Sequence, residues 1–508
     1  MSTTLLHRTG SKALLTDMHQ LTMAYGYWKA GMADREAIFH LFFRENPFRG
    51  GFTLSCGLGD CVKYMVGFHF GENDLAYLQA LKGNDDQPMF EEAFLEYLRD
   101  VRLRFDVDAI PEGSVVFPHE PLLRVRGSIL QAQLAETALL NMVNFQSLIA
   151  TKAARICLAA QGDPVIEFGL RRAQGVDGAL TASRAAFVGG CAATSNLMAG
   201  KLFGIPVTAT QAHSWVLAFE DELAAFNAYA DALPNNAFFV VDTYNTMQGV
   251  RNAVEVGKRL MKLGRRLGGI RLDSGDLAAL SIEARRVLDA VGFDDALILA
   301  TNDLDEYQIA SLKQKGAAIQ LWGVGTRLIT AYDQPALGGV YKLSAVRKAD
   351  GRWEHKLKLS DQAAKVNHPG MLQVRRFQQG QEFIGDAMFD ELGSAPEPVT
   401  IVDPLDGTKR RMMPAEAKWE DLLTPVLRHG QPVREQPTLE SIRERVQRQL
   451  SMLPEGVKRL ENPQTYLAGL ELGLHELKKR LVLAAKTKPA PARPANQFKS
   501  IPATDQGR

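Results

Sequence analysis

The sequence predicts an α/β fold, in which a barrel-like domain of strand–helix repeats follows a mixed α+β region and precedes a C-terminal appendage. Three observations predict it. Short apolar runs alternate with helix-like stretches between residues 164 and 346, the rhythm of parallel strands joined by helical crossovers. The runs are almost continuously apolar, as strands buried on both faces are. Most of them finish in polar or glycine-rich segments, and the carboxyl ends of parallel strands are where barrels and open α/β sheets build their sites.

The elements follow in order. Residues 1–128 read as a mixed α+β N-terminal domain. Within it, 17–31 (DMHQLTMAYGYWKAG) is a helix capped by Asp17 and ended by Gly31. Residues 36–43 (EAIFHLFF) are a buried strand, and 114–127 are two short strands around a proline-containing turn. Residues 129–349 read as the α/β barrel-like domain. It opens with a long helix, 129–161, on which Leu130, Leu134, Ala138, Met142, Phe145 and Ile149 share one apolar face. Seven strand-like runs come next: 164–169, 205–210, 237–243, 269–274, 296–302, 318–325 and 339–346. Residues 350–483 are the appendage, strand-rich to 433 and helical from 437. Residues 484–508 are rich in proline and alanine, bury too little apolar surface to fold, and are expected to be disordered.

Composition narrows the function classes. Of the 508 residues, 46% are hydrophobic, ample for a large core, and the net charge is +1, a total that points to neither nucleic acid nor an acidic membrane and in which a local basic pocket would not show. No uncharged apolar run reaches about 18 residues, the length that begins to span a membrane. The N-terminal apolar runs are too short for a signal peptide. Cys56, Cys61, Cys157 and Cys191 form no CxxC pair and read as reduced thiols of a cytoplasmic protein.

The chemistry sits at the strand ends. In RLDSGDLAAL a strand end, a Ser-Gly turn and a helix start follow one another, an arrangement that suits phosphate. Asp273 and Asp276 would repel phosphate unless Mg²⁺ or ribose hydroxyls lay between, and Asp276 or Asp273 could equally be a helix cap. Arg271 offers a planar fork for a carboxylate or phosphate. The turn GVGTRL, with Gly323, Gly325 and Thr326, is a short anion cradle or an ordinary turn. His213 lies three residues after Thr210 and reads as a general base, a ligand, a nucleophile, or a structural or surface histidine. Arg171 and Arg172 follow the strand VIEFG, where one could face the cavity or both could be solvated. No HExxH or second histidine at ligand spacing marks a zinc site.

In order, the segments LLTDMHQLTMAYGYW, FGLRRAQG, TQAHSW, GIRLDSGDL, TNDLDEYQI, WGVGTRL and KLSDQAAKVNHPG resemble the nicotinate phosphoribosyltransferase family over about residues 12 to 372. The resemblance implies a distorted α/β barrel with a smaller, largely β N-terminal domain. It implies an ATP-coupled ligase that makes nicotinate mononucleotide from nicotinate and phosphoribosyl pyrophosphate, with Mg²⁺ as cofactor and ATP as co-substrate. By motif, His213 is the catalytic histidine that becomes phosphorylated. His19, Phe168, Arg171, Thr210 and Arg271 are the nicotinate contacts. Asp273, Ser274, Asp303, Gly323, Gly325 and Thr326 serve phosphoribosyl pyrophosphate, with Asp273 and Asp303 the candidates near Mg²⁺. A homodimer with shared active sites is implied as well. Two positions stand apart. Where the family commonly has a tyrosine that stacks on the pyridine from a neighbouring subunit, this chain has His19, which predicts a nicotinate affinity that varies through the histidine pH range. A loose alignment of FVGGCAATSN puts Cys191 where nicotinamide-using relatives carry an aspartate, which favours the acid. The alternatives are a nicotinamide phosphoribosyltransferase, a sugar-phosphate lyase of barrel type, and an inactive scaffold of the same fold.

Overall fold

The computed structural model describes residues 10–359, 366–393 and 399–487. Residues 360–365 of the KLSDQAAKVNHPG motif, and the expected tail from 488 onward, lie outside the described residues. In chain order the N-terminal region supplies β1 (Glu36–Phe43), β2 (Thr53–Leu54), β3 (Asp106–Ala109), β4 (Val115–Val116) and β5 (Leu123–Ser128). The middle supplies β6 (Val165–Glu167), β7 (Ala193–Thr194), β8 (Phe238–Val240), β9 (Gly269–Leu272), β10 (Leu297–Ala300) and β11 (Leu321–Val324). The remainder supplies β12 (Gly339–Arg347), β13 (Trp353–His355), β14 (Leu372–Gln379), β15 (Glu382–Asp390), β16 (Thr400–Val402), β17 (Arg410–Met412), β18 (Lys418–Asp421), β19 (Thr424–Arg428), β20 (Gln431–Pro432) and β21 (Ala468–Glu471).

These strands make three main sheets. The middle six pair in parallel in the order β7-β6-β11-β10-β9-β8, with helices in the crossovers, as the strand–helix rhythm requires. Among the described residues β7 and β8 do not pair with each other, so the barrel is open between them. Its strands are buried because residues such as Ile270, Ile298 and Trp322 meet apolar neighbours on both sides. A second sheet, order β13-β12-β1-β5-β3-β19-β20, is antiparallel; a third, order β17-β16-β21-β15-β14-β18, belongs to the C-terminal region.

Four expectations are corrected. The run 339–346 is a strand, but β12 pairs antiparallel with β1 rather than joining the parallel set. The run 205–210 makes only one bridge, Thr194 to Val207. Pro206 has no N–H to give a ladder, and the short strand β7 takes the edge place instead. The long helix is two helices, Ile129–Leu134 and Glu136–Ala159, meeting at Ala135. The helical region past 437 contains β21, and its last helix, Leu472–Thr487, runs into residues assigned to the disordered tail.

The first helix, Met18–Lys29, has its predicted bounds, and Gly31 takes φ 65° just past its end. Asp17 does not cap it with its side chain; its carboxylate instead accepts from Thr137 Oγ1 at 2.8 Å, tying this helix to the one at Glu136–Ala159. No helix among the described residues is long and apolar enough to cross a membrane.

Candidate active site

The carboxyl ends of the parallel strands enclose a cavity of about 540 Å³. Phe168 and Arg171 follow β6, Arg271 and Asp273 lie on and after β9, and Asp303 follows β10. Gly323, Gly325 and Thr326 form the end of β11 and the turn beyond it. Thr210 and His213 come from the segment beside β7. All these predicted positions line one cavity, although they are spread over more than 150 residues of sequence.

Arg271 and Asp273 share one hydrogen-bond system. Arg271 Nε donates to Thr301 Oγ1 at 3.0 Å, Nη1 donates to Thr210 Oγ1 at 3.2 Å, and Nη2 lies 3.0 Å from Asp273 Oδ1. The Thr301 hydroxyl donates in turn to Asp273. Burial pushes the Asp273 carboxyl up, but the Thr301 hydroxyl, the Arg271 guanidinium and His213 together outweigh it and hold the pKa below the usual carboxylate value. His213 Nε2 lies 3.3 Å from Asp273 Oδ2, and its Nδ1 is 3.1 Å from Thr243 Oγ1.

Asp242 sits behind this pair. Its buried Oδ2 accepts from Asp273 N at 2.9 Å and from Ser274 Oγ at 2.6 Å. Its Oδ1 is buried with no hydrogen-bond partner among the described residues and stands 3.9 Å from His213 Nε2. The imidazole therefore has two carboxylates on one side and a hydroxyl on the other, and its side chain is 37% exposed to the cavity.

The end of the cavity at the turns after β10 and β11 is shaped by backbone. Asn302 and Asp303 take φ of 95° and 44°, a left-handed pair unusual for non-glycine residues, at the turn after β10. Gly323 has no room for a side chain: a Cβ there would lie 2.6 Å from Thr301 and 2.8 Å from the Phe168 ring. That close approach is the reason for the first glycine of GVGT. Asp276, by contrast, takes its ordinary reading, accepting from Ala278 N and Ala279 N as the cap of the helix Leu277–Asp289.

Three predicted positions lie elsewhere. Ser274 is turned onto Asp242, and its hydroxyl is spent there. His19 is exposed on the first helix, with Nε2 3.0 Å from Gln20 Nε2, and does not line the cavity of its own chain. Cys191 is buried away from the cavity, its backbone oxygen held by Arg443, so the argument for acid over amide drawn from it does not stand. The residue of that segment that does line the cavity is Ser195. Arg171 and Arg172, of which one was expected to face the cavity or both to be solvated, both line it. Thr301, Asn302 and Ser195 line the cavity too, and Asp242 and Thr243 support His213. Each follows a strand or sits at its carboxyl end, which is the signal that could have singled them out.

Among the described residues no three His, Cys, Asp or Glu side chains are grouped so as to hold a metal ion unaided. Asp273 and Asp303, both on the cavity wall, could instead share a cation with an anionic ligand, as Mg²⁺ sites with substrate phosphates do.

Comparison with known proteins gives a consistent picture. Residues 14–144 match the family described as nicotinate phosphoribosyltransferase (NAPRTase) N-terminal domain, and residues 373–478 match the nicotinate phosphoribosyltransferase C-terminal domain. The chain is 42% identical over 486 residues to the nicotinate phosphoribosyltransferase of Bacillus subtilis, covering 93% of this chain and 97% of that one. It is 36% identical to the Homo sapiens nicotinate phosphoribosyltransferase, covering 92% and 96%. The crystal structure of human nicotinic acid phosphoribosyltransferase superposes with a TM-score of 0.80 at 34% identity, over 92% of this chain and 99% of that one.

Proposed function

The chain belongs to the nicotinate phosphoribosyltransferase family, and from that premise we propose that it forms nicotinate mononucleotide and pyrophosphate from nicotinate and 5-phosphoribosyl 1-pyrophosphate, a step of NAD biosynthesis, with ATP hydrolysis coupled to it. The observation that carries this reading is the convergence of Arg271, Thr210, His213, Asp273 and Thr326 on one cavity.

The pyridine ring lies against Phe168, with Arg171 and Arg271 opposite the carboxylate. The phosphoribosyl donor occupies the end bounded by Asp303, Gly325 and Thr326. The bond from the anomeric carbon to the pyrophosphate oxygen breaks, its electron pair leaving with pyrophosphate, and the pyridine nitrogen lone pair forms the new bond on the opposite face. The side chains position both reactants and stabilise charge; no proton has to move in this step. Asp273 and Asp303 would hold Mg²⁺ through their carboxylate oxygens together with the donor's phosphates, and the ion would supply charge neutralisation of the leaving group. ATP gives its γ-phosphoryl group to a ring nitrogen of His213 and leaves as ADP; water then returns free histidine and phosphate in the same turnover. The 37% exposure of His213 and its hydrogen-bonded placement support that role.

His19, outside the cavity of its own chain, is assigned to the cavity of a second copy in a homodimer with shared sites. The proposed compartment is the cytoplasm, where four free thiols stay reduced. The test is to supply phosphoribosyl pyrophosphate and Mg²⁺ with nicotinate or nicotinamide, each with and without ATP. Nicotinate mononucleotide that ATP stimulates, with the stimulation absent in His213→Ala, is the expected result. Preference for nicotinamide, or ATP stimulation that survives His213→Ala, refutes the corresponding part.

A further inference from the structure

Glu167, the last residue of β6, is fully buried immediately beside the cavity wall. Its Oε1 accepts from the backbone N–H of Gly169. Its Oε2 accepts from Thr194 Oγ1 at 2.6 Å and from Ser183 Oγ at 2.9 Å. No Lys or Arg nitrogen reaches it among the described residues. A buried carboxylate without a cation is a costly group to keep, and an apolar residue would fill the space more cheaply.

Two of the groups it holds, Gly169 and Thr194, stand at the ends of the adjacent strands β6 and β7, which both reach the cavity. Phe168, next to Gly169, lines it after β6; Ser195, next to Thr194, lines it after β7. The Gly169 turn cannot be anchored by a side chain of its own, because a Cβ there would lie 2.5 Å from Ile329 Cβ. Thr194 also carries the segment that leads to Thr210: its N donates to Pro206 O at 3.0 Å, and its O accepts from Thr208 N at 3.1 Å. Thr210 Oγ1 then receives Arg271 Nη1. A shift of Thr194 would therefore reach both the wall beside Phe168 and the guanidinium opposite it.

We infer that Glu167 is a positioning residue for the nicotinate end of the cavity, its carboxylate fixing the Phe168–Gly169 turn against the Thr194–Ser195 turn beyond the backbone bond, Ser195 N to Glu167 O, that joins them. The inference rests on the proposed function, since it assigns that end to nicotinate. Glu167→Asp withdraws the carboxylate by one carbon–carbon bond, about 1.5 Å. A misplacement of that size raises the KM for nicotinate about tenfold or more. The KM for phosphoribosyl pyrophosphate stays within about twofold, because the Thr326 end makes no bond to Glu167. Glu167→Gln keeps the length. Ser183 Oγ, which also reaches Ala179 O at 3.0 Å, can donate there and accept from the new amide, but the Thr194 hydroxyl loses its acceptor, so the KM for nicotinate rises as in Thr194→Val and by less than in Glu167→Asp.

Steady-state kinetics of the three proteins, with Tm measured beside them, decide the matter. A nicotinate KM unmoved in Glu167→Asp overturns the inference. So do two KM values that rise together in step with a fall in Tm, the mark of a merely structural group. If Glu167→Asp does not fold, Thr194→Val, which removes one donor and keeps the shape, must show the same split between substrates. Wild-type protein that forms no nicotinate mononucleotide overturns the functional reading and this inference with it; an active wild type with an unmoved variant overturns the inference alone.

Discussion

Arg271 shows how much one side chain can be asked to do. Its guanidinium spends three nitrogens on Thr301, Thr210 and Asp273, which fixes the fork before any ligand arrives. Arg271→Lys keeps the charge and loses the plane, so the KM for nicotinate is expected to rise about tenfold, roughly 1.4 kcal/mol, with a smaller change in kcat. Arg271→Ala has a second effect. The guanidinium is one of the groups that hold the Asp273 pKa down, so removing it lets that pKa rise. Asp273 is ionised above its pKa; the acid limb of the rate–pH profile therefore moves to higher pH in the variant, and a limb that stays in place would count against a role for ionised Asp273. The residues in this system were legible one by one as polar strand ends, and Arg271 and Asp273 could be named. Asp242 and Thr301 were not singled out, because their importance lies in whom they touch, and contacts between strand ends about 30 residues apart are set by sheet order rather than by local spacing.

Elements were legible in proportion to how local their causes are. The runs at 164–169, 237–243, 269–274, 296–302 and 318–325 become β6, β8, β9, β10 and β11 because apolar strands between helices need no further information. The run at 339–346 has the same pattern, yet its partner is β1, and only the pairing of distant residues such as His40 with Lys342 decides that. The break at Ala135 has no proline or glycine to announce it.

The contact between the N-terminal and C-terminal sheets carries a pH signature of its own. His40 on β1, His119 after β4 and His368 before β14 are all buried. Burial, with Arg124 beside His40 and Lys478 and Arg44 beside His119, lowers the pKa of His40 from 6.5 to about 3 and that of His119 to about 4; His368 is driven down as well. In the unfolded chain these rings take up protons below about 6.5, whereas in the folded chain they stay neutral. Their contribution is therefore complete above that pH and is lost as pH falls toward the folded values, at up to about 1.4 kcal/mol per pH unit for each ring. Glu112, lowered to about 2 against its burial by Arg184, adds its own loss only below about 4.5. Thermal unfolding between pH 8 and 5 should show Tm falling below pH 6.5. His119→Asn should show a shallower fall, since asparagine accepts the φ of 71° found there; an unchanged slope would clear this histidine of the effect.

At the scale of the whole molecule, one continuous apolar core joins the N-terminal sheet, the parallel sheet and the helices between them, and a small second core lies in the C-terminal sheet around Ile401 and Phe377. Of the predicted positions, His19 and Ser274 do not line the cavity of their own chain, and His19 is exposed on the first helix. If two chains share sites, a His19→Ala protein and a His213→Ala protein should complement each other. Mixed after dissociation, they form dimers in which one site carries both lesions and the other carries none. Nicotinate-dependent, ATP-stimulated activity should then exceed that of either variant alone, and a mixture no better than its parts would leave His19 without a role in catalysis. Contacts within a single chain cannot test this, because the proposed role of His19 lies across two copies.

The pairing of β1 with β12 also has a meaning in time. A ribosome delivers β12 about 300 residues after β1, an interval of roughly 15–60 s at ordinary rates of synthesis. β5 covers one edge of β1 early, while the other edge waits, with Phe39, Leu41 and Phe43 in a strand whose last seven residues end up buried. Until the last third of the chain emerges, that edge is open to chaperones and to other nascent chains, so the yield of active protein is decided partly before translation ends.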